Sequence, residues 1–303
     1  MDRTKRTNRG PSSISKVLAG CTLALMAMLG SPTPGLAQGL NWQGQTGAFI
    51  TPFAYNSASP DHGIGKPEVS FHYLDAGNVI GGMYQTSITV GLFNRTEFGY
   101  TRTLDTAGSS LSFSPLFSNG FNTVHGKVML LREKQWKKSY LPAISLGFVA
   151  RTQVRRVGGV LDGRDTSNGD VYVVATKMVT QMKALPILLN LGLRGTNAVV
   201  MGIGGNAPDW QARCFGAVGF VLKAPFHSRV VVGSEAAQEP HYIAGLPGAT
   251  VPTSLTYFAR LLPVPEKGRL NIDFGVAQAV GKIMPGVDIQ ARSRFATGVS
   301  YQF

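Results

Sequence analysis

Alternation with a period of two residues, repeated in short segments, constrains this chain more than any other feature. It is plainest at the C-terminus. Phe295, Thr297, Val299, Tyr301 and Phe303 fall on one side of an extended segment, and Ala296, Gly298, Ser300 and Gln302 on the other, because successive side chains of a strand point to opposite faces. The pattern recurs at Tyr84-Thr86-Ile88-Val90-Leu92 against Gln85-Ser87-Thr89-Gly91, and at Leu270-Ile272-Phe274-Val276 against Asn271-Asp273-Gly275-Ala277. Ile144, Leu146 and Phe148 alternate with Ser145 and Gly147 in the same way. One face is apolar and the other small or polar. Such a sheet either separates lipid from a polar interior or, as a sandwich, separates a core from water.

Composition narrows the setting. Glycine supplies 37 of 303 residues and charged residues only 15%, against a usual glycine share of about 7%. Glycine also disfavours long helices. No stretch after the leader described below approaches 18 uninterrupted apolar residues, so a membrane-spanning helix is not expected.

Connection lengths favour a closed barrel over a sandwich. Twelve strands are expected at 68–76, 83–93, 96–104, 123–132, 142–151, 170–178, 186–196, 213–224, 229–237, 254–262, 270–280 and 292–303; a fourteen-strand barrel is the alternative. Alternate gaps (77–82, 105–122, 152–169, 197–212, 238–253 and 281–291) are mostly long, polar and rich in Gly and Pro, whereas 94–95, 133–141, 179–185, 225–228 and 263–269 are shorter. Long loops at one end and short turns at the other are the layout of an outer-membrane barrel, with loops outside and turns in the periplasm. Closure removes the unpaired strand edges that lipid does not tolerate. Tyr73, Tyr84, Tyr100, Trp136, Tyr140, Tyr257 and Tyr301 fall near expected strand ends, the level at which aromatics meet headgroups. Residues 38–67 precede the barrel as an N-terminal extension, and the sequence leaves open whether they form a plug, a periplasmic lid or an extra strand.

The first 37 residues read as a cleavable secretory signal. Arg3, Lys5, Arg6, Arg9 and Lys16 precede an apolar run from Val17 to Gly30, Pro32 and Pro34 break it, and Gly35-Leu36-Ala37 frames a cut. Leu18-Ala19-Gly20-Cys21 spells a lipobox, but most of the apolar core follows it, so a lipoprotein is not expected. Removing Cys21 leaves Cys214 alone, and one cysteine cannot form an internal disulfide. The formal charge of the whole chain is +13, and the part after the leader remains basic. For an exported chain that excess points to outer-membrane lipids and lipopolysaccharide rather than to nucleic acid.

The phase of the alternation selects the lumen. Gln85, Glu97, Lys127, Arg151, Asn190, Arg194, Glu235, Arg260 and Asp273 fall on the face opposite the lipid-facing rows. For Arg151, Arg194 and Arg260 those rows are Phe148 and Ala150, Leu191 and Leu193, and Tyr257, Ala259 and Leu261. Positive groups slightly outnumber negative ones in the set, which would favour anions in an open pore. The expected function is a channel for small solutes, anions among them. The alternative is a structural component of an envelope export or assembly system.

Signals for catalysis are sparse. There is no Gly-x-Ser-x-Gly elbow, His-Glu-x-x-His motif, Walker loop or Cys/His cluster. Gly202-Ile203-Gly204-Gly205 reads as a flexible external loop. Asp162-Gly163-Arg164-Asp165-Thr166-Ser167-Asn168-Gly169-Asp170 is oxygen-rich, but its spacing is wrong for an EF-hand. His72, Glu97, His125, Glu235 and Asp273 face the lumen, as polar residues of a barrel must, so an enzyme is not expected. Neither a cofactor nor a metal is expected.

The ending Gly298-Val299-Ser300-Tyr301-Gln302-Phe303 resembles the terminal signal of Gram-negative outer-membrane proteins. The resemblance implies that Val299, Tyr301 and Phe303 are read by the barrel-assembly machinery. ITPFAY (50–55), FHYLDAG (71–77), FNRTEFGY (93–100), YVVATK (172–177) and TSLTYFARLLP (253–263) resemble an uncharacterised proteobacterial family, the domain of unknown function 3034. That resemblance spans most of the chain after the leader and implies no catalytic residue. Thr51, Pro52 and Ala54 are also similar to a pattern in outer-membrane proteins of exopolysaccharide secretion.

Overall fold

The computed structural model describes residues 39–77, 81–106, 120–133, 140–154, 166–181, 185–240, 250–264, 270–284, 287–289 and 293–303. The leader therefore lies outside the described residues, as do Trp136, most of loop 105–122 and the run from 155 to 165. The strands are β1 (Glu68–Asp75), β2 (Gly82–Leu92), β3 (Thr96–Asp105), β4 (Phe121–Leu131), β5 (Ala143–Val154), β6 (Thr166–Val179), β7 (Ile187–Ala198), β8 (Asn206–Lys223), β9 (Arg229–Gln238), β10 (Thr250–Leu262), β11 (Leu270–Met284), β12 (Val287–Ile289) and β13 (Arg294–Gln302). Each strand from β1 to β11 pairs antiparallel with the next, β11 pairs with β13, and β13 pairs back onto β1. The short β12 only folds back on β11. The result is a closed antiparallel barrel of twelve strands, as expected from the alternation and the gaps.

The outer face is an apolar belt. Ile88, Phe98, Leu104, Phe148, Val171, Leu191, Leu193, Tyr257, Phe274 and Phe295 are all exposed, while their neighbours one residue along are mostly buried. Such a surface would aggregate in water and suits lipid. It includes the rows expected beside the three arginines, with Leu191 at 68% exposure.

Strands run beyond their expected bounds chiefly at the long-loop end. β8 begins at Asn206 rather than 213, β6 at Thr166 rather than 170, and β11 continues to Met284 rather than 280. A membrane strand needs only about 9–11 residues. Past the bilayer no lipid demands an apolar face, so Asn206-Ala207-Pro208-Asp209-Trp210-Gln211 pairs without alternating in sequence. The expected long loop 197–212 shrinks accordingly. Val200–Gly202 form one turn of 3-10 helix with Met201 and Gly202 buried, where a flexible loop was expected.

Candidate functional site

The barrel interior is not an open lumen. Residues 39–57 run inside it, with Leu40, Asn41, Trp42, Gln45, Thr46, Ala48, Phe49 and Ala54 buried almost completely. Residues 39–57 thus fill the interior as a plug segment. Their path starts with Asn41, whose side-chain oxygen accepts hydrogen bonds from the backbone of Gln43 and Gln45, both at 2.9 Å. A few backbone hydrogen bonds, among them Asn41 to Gln45, Trp42 to Phe49 and Ala48 to Thr51, and two small bridges, Leu40 to Thr46 and Gly47 to Pro52, complete its local order. So irregular a segment leaves many backbone groups without internal partners, and a buried group left so costs about 1–3 kcal/mol.

The barrel wall supplies those partners. Glu97 accepts from the backbone N–H of Thr46 (3.1 Å), its hydroxyl (2.7 Å) and the N–H of Ser57 (2.9 Å). Lys127 sits 2.9 Å from the same carboxylate and donates to the carbonyls of Thr46 and Phe53. On the opposite wall Glu235 accepts from the N–H groups of Ile50 (2.6 Å) and Thr51 (2.8 Å) and from the Thr51 hydroxyl. Arg260 donates to Gly47 and Ala48 while bidentate on Asp273 at 2.7 and 3.1 Å. Asn190 donates to the carbonyl of Pro52, Thr89 to that of Gly44 and Thr101 to that of Gln43. Tyr172 accepts from Gln45 at 2.7 Å.

The structure thus brings six of the nine expected lumen residues (Glu97, Lys127, Asn190, Glu235, Arg260 and Asp273) together around the plug. Gln85 also faces inward and hydrogen-bonds Thr103 within the wall. Arg151 and Arg194 belong to a second set nearer the long-loop end. Arg151 pairs with Asp170 at 2.6 Å and Arg194 with Glu239 at 3.0 Å. Glu239 also accepts from the backbone N–H of Val200, which ties the turn after β7 over the interior. Gly202 packs on Arg151 so closely that a Cβ there would lie 2.7 Å from its Cδ. Between this turn and the plug remains a cavity of about 20 Å³, lined by Gln43, Thr51, Asp170, Arg194 and Met201, room for about one water.

The two histidines of the inward rows are packing groups. His72 lies across Gly298, where a Cβ would come within 2.2 Å of its ring, and against Trp42 and Phe49 of the plug. His125 lies across Gly99 in the same manner. Asp170 of the oxygen-rich run is engaged by Arg151; Asp162 and Asp165 lie outside the described residues. Of the terminal residues, Val299 pairs with Phe71 and Ile272, Tyr301 with Val69 and Leu270, and Phe303 directly follows the closing strand.

Sequence reasoning missed three inward carboxylates: Glu68, Asp170 and Glu239. The signal was there. Each continues the inward parity of its strand by one step, through Ser70 and His72, Tyr172 and Val174, and Ala237 and Glu235 respectively.

No curated protein matches the chain. Solved structures similar to it include a KdgM porin in complex with disordered oligogalacturonate, 11% identical with a TM-score of 0.43, covering 78% of this chain and 99% of that one. The COG4313 outer membrane channel from Pseudomonas putida F1 is 9% identical with a TM-score of 0.46, covering 84% and 100% respectively. The NanC porin is 9% identical with a TM-score of 0.43, covering 78% and 100%. The model of a family of proteins of unknown function, DUF3034, matches residues 38–250. The chain belongs to that family, as a closed β-barrel with an outward apolar belt and a filled interior.

Proposed function

We propose that the protein is an outer-membrane channel closed at rest by residues 39–57 and opened by their displacement. The observation that carries this reading is the polarity of the wall behind the plug. Buried ion pairs seldom improve stability, and a barrel filled once and for all would gain from apolar packing. Charged groups such as Glu97, Lys127, Glu235, Arg260 and Asp273 suit a wall that faces protein in one state and water in another. An irregular plug bonded to side chains, rather than paired as a strand, can leave without breaking the barrel's ladder.

Ion pairing along the wall argues for a weaker anion preference than expected. Lys127, Arg151, Arg194 and Arg260 each sit against a carboxylate, and Glu68 and Glu235 are inward as well. With Lys223 and Arg229 on the inward phase too, the inward charges nearly balance, and an opened lumen would be weakly selective.

Planar-bilayer conductance tests the proposal. Removal of residues 39–57 is expected to convert a silent or rarely opening barrel into a persistently conducting one. A second variant keeps the plug: Gly44→Cys with Ser87→Cys in a Cys214→Ser background. A Cβ at Gly44 would lie 2.9 Å from the Ser87 Cβ but also 2.4 Å from the Thr101 hydroxyl, at a φ of +81° that favours glycine, so the pair joins only with a local shift of the plug, and assembly of the reduced variant is its control. Oxidation should abolish openings and reduction restore them. A correctly assembled deletion variant that never conducts would overturn the channel and favour the structural-component reading.

A further inference from the structure

A larger cavity borders the arrangement just described and shares Arg260 with it, already held by Asp273. It has a volume of about 370 Å³ and sits near the short-turn end, between Phe53 and Tyr55 of the plug segment and the wall from β6 to β10. Its size falls at the lower end of the range of roughly 300–1,000 Å³ common for small-molecule sites. The lining departs from the rest of the interior. Met178, Leu188, Val221, Val231, Phe258 and Leu262 face it, all on the inward phase that elsewhere carries polar residues. Apolar surface around a water-filled space is costly and is relieved by an apolar occupant.

The rim adds charge. Arg229 lines the cavity and is exposed. Lys223, the inward residue two past Val221, is its direct cross-strand partner. Like charges directly opposite destabilise a sheet pair, and no ion pair relieves either of them among the described residues. The nearby carboxylate is already engaged: Glu133 holds Lys177 at 3.1 Å and accepts from the Tyr55 hydroxyl at 2.5 Å. Burial, and then that hydrogen bond, push the Tyr55 hydroxyl well above its ordinary pKa, so it stays a donor.

We infer that this cavity binds a single-chain amphipathic anion, its apolar tail among Leu188, Val231, Phe258 and Leu262 and its anionic head, carboxylate or phosphate, between Lys223 and Arg229. The site would serve as a loading or sensing position with the plug seated, and it does not depend on the plug's displacement. The test is calorimetric titration of decanoate into the assembled protein in phosphatidylcholine nanodiscs, with empty nanodiscs subtracted. Decanol reports the tail alone, inorganic phosphate the head alone, and decyl phosphate the alternative head. Saturable one-to-one binding of decanoate or decyl phosphate, well above either fragment, is expected. Lys223→Ala with Arg229→Ala should weaken it on the order of tenfold or more, as loss of charge-assisted hydrogen bonds does. Val231→Trp should fill the cavity and abolish it, while decanol then also ceases to bind. Decanoate binding unchanged by Val231→Trp, or absent from a heat-modifiable, assembled barrel, would overturn the inference. None of these readouts depends on conductance, so a failed channel and a failed site are distinguishable.

Discussion

The two faces of this wall are made by the same strands and the same alternation, yet they answer to different partners. The outer face meets lipid, which asks only that a side chain be apolar. Leu191, Leu193, Val171 and Val173 could exchange places there with little consequence. The inner face meets residues 39–57, whose irregular backbone asks for a given donor or acceptor at a given point. Glu235 serves Ile50 and Thr51; Arg260 serves Gly47 and Ala48. A uniform solvent makes a tolerant surface and a single bound segment an exacting one.

That contrast is sharpest at Arg260. Arg260→Leu removes the partner of Asp273 and two carbonyl contacts at once, leaving a buried carboxylate alone. A loss of about 3–5 kcal/mol is expected, the usual result of breaking a buried pair from one side. Asp273→Asn in the same background should recover part of it. Urea unfolding of the assembled barrel measures both, and a cost below about 1 kcal/mol, the size of a single ordinary hydrogen bond, would show the inner face to be as tolerant as the outer.

The outer face has its own intolerance, but of one kind. Leu191→Arg should cost about 2–4 kcal/mol if the residue lies near the bilayer midplane, while Leu191→Val should be close to neutral. Arginine at that position with no loss of stability would mean that this part of the belt does not face lipid.

This difference also decides what could be read from the sequence. Lipid imposes the same demand along every strand, so alternation locates twelve strands, most of their inner bounds and the inward direction of Arg151, Arg194 and Arg260. It fails where lipid ends: residues 206–211 carry no apolar phase and read as loop. The parity of the inner residues is legible, but not what they touch. Whether Glu97 meets water or Thr46 depends on residues 39–57 entering the barrel, and their sequence, without period or core, encodes no strand. The missing signal is one of pairing between distant segments, such as Thr51 with Glu235.

A packing contact tests the wall without involving charge. A strand glycine often marks the close approach of another group, and Gly298 lies beneath the ring of His72. Gly298→Ala should cost about 1–3 kcal/mol by overpacking, and His72→Ala combined with it should recover much of that loss. Additive costs in the double-mutant cycle would show that the ring does not rest on the glycine.

The smallest effect makes the cleanest comparison, because the same chemical change is made on both faces. Thr101 points inward, is fully buried and places its hydroxyl 3.0 Å from the Gln43 carbonyl and 2.9 Å from the Ser87 hydroxyl. Thr86 sits on the neighbouring strand with the opposite phase, exposed on the outer belt. Thr101→Val removes a hydrogen bond and leaves a plug carbonyl short of a donor, which should destabilise the barrel by about 1 kcal/mol. Thr86→Val replaces a hydroxyl facing lipid with a methyl group of nearly the same size, so it should be neutral or slightly stabilising. A loss at Thr101 with none at Thr86, on strands that neighbour each other, is the outcome expected of a wall with protein on one side and lipid on the other. Equal small losses would place water on both, and the belt would then be no membrane surface at all.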